Sequence, residues 1–143
     1  LNENGKRTGF NLLDLESLEQ TELCSDKKDD SRIRFGQYFF NNETILRGLE
    51  ILSLNQVSDK QLIVIDEIGP LELNDGGWND AIEKLTESTS TPQLWVVRKS
   101  IVKKIPRKWN IGNAYIFDIS ESSILEVENK LKEILFPEGL LTL

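Results

Sequence analysis

Two neighbouring carboxylates, Asp66 and Glu67, follow directly on the aliphatic run Leu62, Ile63, Val64 and Ile65. Paired acids in this position have two readings. They can cap the loop that follows a strand. They can also do chemistry: magnesium takes hard oxygen ligands, keeps several waters and needs only one or two carboxylates. A second carboxylate alongside can take a proton from water. Four β-favouring residues bounded by a break read as a buried strand over residues 61–65, of the kind found at the centre of parallel sheets. Open α/β sheets bind ligands beyond the carboxyl ends of such strands, and the pair falls there.

Other candidates cluster around the same rim. Arg98 and Lys99 follow a second apolar segment, residues 93–97, and would meet a phosphate or a base at that edge, Arg98 with forked bonds. The bland alternative is a solvated basic pair at the start of a helix. Gly69 either serves the site or supplies a backbone conformation that other residues disfavour. Glu72 either backs the acids or lies on the surface. Trp78 shares a face with Ala81, Ile82 and Leu85 and reads as core. Trp95 and Trp109 read as packing in preference to base stacking.

Composition narrows the chemistry. The chain has 143 residues and a net charge of −7, enough for one domain, residues 1–143, with a proper core. That charge argues against nucleic-acid and acidic-membrane surfaces, which need clustered Lys and Arg. Nucleotides stay open, because backbone N–H groups and one or two cations suffice for phosphates. There is no histidine. Ser-His and Cys-His mechanisms and His-ligated zinc are therefore excluded. The single cysteine, Cys24, permits no intramolecular disulfide, and a reducing cytoplasm is the expected setting. No apolar run approaches the roughly 20 residues of a membrane span.

The elements that must position the rim read as follows. Asn4-Gly5 signals a hairpin turn within residues 2–7, and a strand is expected over residues 8–15. Residues 25–32 are a charged loop. Residues 35–40 form one aromatic-rich strand, and Asn41 or Asn42 caps a helix carrying Ile45, Leu49 and Leu52 to about residue 54. After the acid pair, residues 68–77 are a loop punctuated by Gly69-Pro70 and Gly76-Gly77, followed by the Trp78 helix. Beyond residues 93–97, a brief helix stops near Pro106. A last strand spans residues 113–119, and Ser120 caps a helix with Ile124, Val127, Leu131, Ile134 and Leu135 on its apolar face. The apolar tail after residue 135 is expected either to pack on the body or to have been trimmed. The alternation of strand and helix in the second half predicts an α/β fold. Its sheet is mostly parallel, with helices on both faces and the N-terminal antiparallel hairpin added at an edge.

Asp66-Glu67-Ile68-Gly69 followed by Leu71-Glu72-Leu73 resembles the Asp-Glu-Ile-Gly-Lys-Met-Glu-Leu signature of the small P-loop nucleoside-triphosphatases. That family includes the thermophilic nucleotide phosphohydrolases and the cancer-related nucleoside triphosphatase. Gly5-Lys6-Arg7-Thr8-Gly9-Phe10 resembles its Gly-x-Arg-x-Gly-Phe hairpin, and Gly36-Gln37-Tyr38 its Gly-Lys-Tyr segment. The resemblance spans nearly the whole chain. It implies that Asp66 meets Mg²⁺ through a coordinated water, that Glu67 orients or deprotonates the attacking water, and that Arg7 joins Gly69, Arg98 and Lys99 as a phosphate-side candidate. Pro70 departs from the family's Lys, and Glu121-Ser122-Ser123 from its Asn-Arg-Asp-like segment.

No Gly-x-x-x-x-Gly-Lys-Ser/Thr loop occurs in the chain, which also contains no Met. The resemblance therefore implies the family's fold with its first βα unit absent. Three functions follow. The first is Mg²⁺-dependent hydrolysis of ATP or GTP by a protein whose phosphate loop lies upstream of Leu1, the 143 residues alone being inactive. The second is a non-catalytic scaffold that binds a nucleotide or a protein partner. The third, a nucleotide or nucleoside kinase, shares the same architecture.

Overall fold

The computed structural model describes residues 5–136. The expected turn residues Asn2, Glu3 and Asn4, and the tail beyond Phe136, lie outside this range. Two sheets carry the fold. The first has four antiparallel strands in the order β1-β2-β4-β3: β1 (Gly9–Leu13), β2 (Gln20–Ser25), β3 (Ile33–Phe35) and β4 (Tyr38–Phe40). The second is a parallel pair, β5 (Ile63–Ile68) and β6 (Gln93–Val97). The antiparallel strands are thus a sheet of their own and not an edge addition to the parallel one. The expected strand over residues 35–40 is a hairpin. Phe35 pairs with Tyr38 across a two-residue loop at Gly36 and Gln37, where Gly36 takes a positive φ.

Helix α1 (Asn42–Ile51) starts where Asn41 accepts the Glu43 and Thr44 N–H groups at 2.9 and 3.4 Å. It ends three residues short of the expectation, and Ser53 opens a separate turn, α2 (Leu54–Val57). The expected loop over residues 68–77 contains a further turn, α3 (Pro70–Leu73), with Pro70 at its first position. The Trp78 segment forms α4 (Asn79–Ser88), whose Ala81, Ile82 and Leu85 are buried. Pro106 does not stop a helix. A 3₁₀ turn (Val102–Lys104) leads into α5 (Ile105–Lys108), where Pro106 occupies the first turn and its missing N–H costs nothing.

Two corrections concern the C-terminal part. Residues 113–119 form no strand. Tyr115, Ile116 and Ile119 are exposed, and no neighbouring strand offers them a ladder among the described residues. The cap of the last helix, α6 (Ile124–Leu135), is Ser123 and not Ser120. Ser120 instead turns back on Asp118, with its hydroxyl donating at 2.6 Å. No residue of α6 is fully buried.

The larger core packs Ile63, Ile65 and Ile68 of β5 against Ile82 and Leu85 of α4, with Ile101, Ile105 and Trp109 closing it. A smaller core gathers Cys24, Phe40 and Ile45 under the antiparallel sheet. Trp78 packs on both. Its ring lies against Gly48 so closely that a Cβ there would collide with it. The opposite face of the parallel pair is open: Val64 is 37% exposed and Val96 48%. Helices therefore cover one face of this sheet among the described residues, not both as expected. No helix of the described residues is long and apolar enough to cross a membrane.

Candidate active site

The acids sit on a fault in β5. Ile65 pairs with Trp95 and Ile68 with Val97, so three steps on β5 match two on β6. The extra residue is a β-bulge, and Glu67 takes the left-handed conformation there (φ 61°). In a regular pleat Ile68 would face away from Ile65. The bulge returns it to the core, 1% exposed, and leaves both Asp66 and Glu67 in solvent at the carboxyl end of the strand. A non-glycine residue held at positive φ is a strained position that the surrounding fold must stabilise.

Two arginines from different sheets converge on Glu67. Arg7 Nη1 lies 3.5 Å from Oε1, and Arg98 Nη2 lies 3.6 Å from Oε2. Arg7 arrives on the antiparallel sheet. Its guanidinium covers the Phe10 ring at 4.8 Å, Phe10 meets Tyr38 edge-on at 5.4 Å, and the Tyr38 hydroxyl donates to the Arg7 carbonyl at 3.5 Å. Arg98 follows β6 directly, and the Ile101 N–H donates to its carbonyl at 2.9 Å. All three side chains are about half exposed. Exposed pairs of this kind contribute roughly 0–1 kcal/mol, so they position the groups without locking them.

The remaining candidates go elsewhere. Lys99 Nζ pairs with Asp118 Oδ2 at 2.5 Å. The Lys99 ammonium, with help from Ser120, holds the Asp118 carboxyl down at about 2. Gly69 does not supply a special conformation. Its φ of −135° is extended backbone that any residue adopts, and the left-handed residue is Glu67. The Gly69 N–H is already committed, donating to Glu72 Oε2 at 2.9 Å. Glu72 does not lie on the surface. It is buried beneath the rim, where burial pushes its carboxyl pKa up, while the backbone N–H groups of Gly69, Glu72 and Trp78 and the charge of Arg98 pull it down. Gly77, at φ +57°, leaves room for it.

Asp66 is the residue a hard cation would meet first, as it is exposed at the bulge beside Glu67. No cluster of three or more His, Cys, Asp or Glu among the described residues could hold a metal on its own. This donor set fits magnesium, which keeps waters and takes phosphate oxygens from its substrate along with one or two carboxylates. The tryptophans pack as expected. Trp95 and Trp109 meet edge-on at 5.6 Å, and the Trp109 indole N–H donates to buried Asn79 at 3.2 Å.

Sequence reasoning missed one feature beside this rim. An open groove of about 610 Å³ runs between α3 and residues 101–108, with Lys103, Lys104, Arg107 and Lys108 along it. The signal was present as Lys-Lys-x-x-Arg-Lys in an acidic chain.

The fold is thus an α/β arrangement in which a parallel pair ends in an acidic bulge flanked by Arg7 and Arg98. The chain belongs to the NTPase family, whose model matches residues 1–135. It is similar to the nucleoside-triphosphatase THEP1 of Thermotoga sp. strain RQ2, 27% identical over 139 residues, covering 94% of this chain and 76% of that protein. The THEP1 of Methanosarcina barkeri is 30% identical over 115 residues, covering 78% of this chain and 64% of that protein. The crystal structure of THEP1 from Aquifex aeolicus superposes with a TM-score of 0.67 at 18% identity, covering 94% of this chain and 80% of that one.

Proposed function

We propose that this chain carries the hydrolytic half of a Mg²⁺-dependent nucleoside-triphosphatase acting on ATP or GTP, in a reducing, cytoplasmic setting. The observation that carries the reading is Glu67, held at a strained bulge on the rim of a parallel strand between Arg7 and Arg98. In the resting site the two guanidiniums stand on the carboxylate where phosphate oxygens would stand in a complex. An arriving γ-phosphate offers them forked, charge-assisted bonds and so frees Glu67 to face water. Glu67 takes a proton as the water oxygen bonds to the γ-phosphorus, the bond from that phosphorus to the bridging oxygen breaks, and the nucleoside diphosphate leaves. Magnesium, met by Asp66 through water, would neutralise charge on the β- and γ-oxygens.

Phosphoryl transfer relies on positioning and charge neutralisation, and no phosphate loop lies in residues 1–143. The reading therefore needs such a loop from outside residues 1–143, and the open face at Val64 and Val96 is apolar surface that a further unit would cover. The test is phosphate release from ATP and GTP by the full-length natural protein and by residues 1–143. Turnover is expected only in the former, with Mg²⁺, and Glu67→Gln should lower it by about 10²–10⁴-fold. Equal turnover by the 143 residues, or an unimpaired Glu67→Gln variant, sinks the reading. Pro70, in place of a cation at the start of α3, favours a second reading: a scaffold that binds nucleotide or a protein partner without turnover. Its signature is nucleotide binding by the full-length protein with no phosphate release.

A further inference from the structure

We infer that the groove between α3 and α5 is a second anion site, built for a small molecule carrying several phosphates on an apolar body, a nucleotide being the best fit. Lys103, Lys104, Arg107 and Lys108 fall within six residues of a chain whose net charge is −7. Lys108 is fixed by an ion pair with Asp75. Among the described residues, Lys103, Lys104 and Arg107 form no ion pair. Like charges gathered on one short turn repel, and a polyanion relieves that repulsion. Its lining also includes Pro70, Leu73, Asn74 and Ile101. A volume of about 610 Å³ lies within the range of small-molecule sites, and apolar side chains among the cations suit a base and its phosphates.

The placement matters. Pro70 opens the groove three residues beyond Glu67, and Ile101 closes it three residues beyond Arg98. The groove thus adjoins the acidic rim through two short chain segments, yet shares no residue with it. A nucleotide held there would bear on the rim through α3 and the turn after β6. The inference does not rest on hydrolysis and stands or falls separately from it.

The experiment is calorimetric titration of the protein with ATP and with inorganic triphosphate, without magnesium, at low and physiological salt. A site beyond the acidic rim is expected, tighter for ATP than for triphosphate, weakening with salt. Lys104 and Arg107 are exposed, and a K104A/R107A variant should lose affinity by about tenfold or more, whereas K27A/K28A, at exposed positions in the charged loop over residues 25–32, should not. Amide chemical shifts on titration should move at residues 70–74 and 101–108. Unchanged ATP affinity in K104A/R107A, an equal loss in K27A/K28A, or shifts confined to residues 66–69 and 98 would overturn the inference. Equal affinity for triphosphate and ATP would refute the apolar half of it and leave a simple polyphosphate site.

Discussion

The two faces of the β5–β6 pair differ by an order of magnitude in exposure along one strand. Ile63 and Ile65 are 4% exposed, and Val64 between them is 37%. The side chains are similar, the neighbours are adjacent in sequence, and only the pleat separates them. The difference shows that the chain stakes its stability on one layer, α4 and Trp109 over β5, and leaves the other face of the same strand carrying little. The same contrast repeats in two carboxylates: Glu72 is sealed under the rim, and Asp118 is only partly covered, beside Lys99.

The largest effect should come from the covered side. Leu85→Ala, at a position with no exposure, is expected to cost about 3 kcal/mol, and Ile65→Ala a similar amount, read as a fall in the urea midpoint. Gly77→Ala should follow at more than about 1 kcal/mol, because a methyl group at φ +57° would strike the Glu72 carboxylate. Gly77→Ala paired with Glu72→Ala would recover part of that loss by removing the collision. On the open side, Val64→Thr in residues 1–143 should cost below about 0.5 kcal/mol. A cost there as large as that of Ile65→Ala would mean that these residues cover the face themselves, and the comparison would break.

Acid titration sharpens the contrast in the carboxylates. Glu72 binds its proton more tightly folded than unfolded, because burial disfavours the charge. Its contribution to stability is therefore fully present below the ordinary value of 4.5 and is lost as pH rises through the raised folded value. Asp118 has the opposite sign. Its contribution is present above 3.8 and is lost as pH falls toward about 2. Carboxyl-carbon NMR should place the two titrations on opposite sides of the ordinary carboxylate range. Glu72→Gln should remove the upper one while leaving the lower one in place.

Much of the layout was legible because local chemistry dictates it. β6 occupies the expected residues, since an apolar run between polar turns has few alternatives. Asn41 caps α1 as expected, because an unpaired helix terminus selects such a side chain. Asp66, Glu67, Gly69, Arg7, Arg98 and Lys99 were the site candidates, and the structure sets Arg7 and Arg98 against Glu67 while Lys99 turns to Asp118. What escaped is what depends on neighbours. β2 is mostly exposed and polar, so its strand character comes from pairing with β1 and β4 and not from its own pattern. Residues 113–119 carry strand-like apolar content, but without a partner the ladder does not form. The bulge left no trace in residue types, because Glu seldom signals positive φ. Lys99 was placed at the rim by its position in the chain, yet Asp118, nineteen residues on, captures it.

The indole of Trp78 against Gly48 touches both hydrophobic centres at once. Neither centre is large, and a two-stranded sheet by itself is marginal in water. One ring packed on both centres couples them, so they are expected to melt together. A bulkier residue at position 48 would split the transition into two, and tryptophan emission would register the separation.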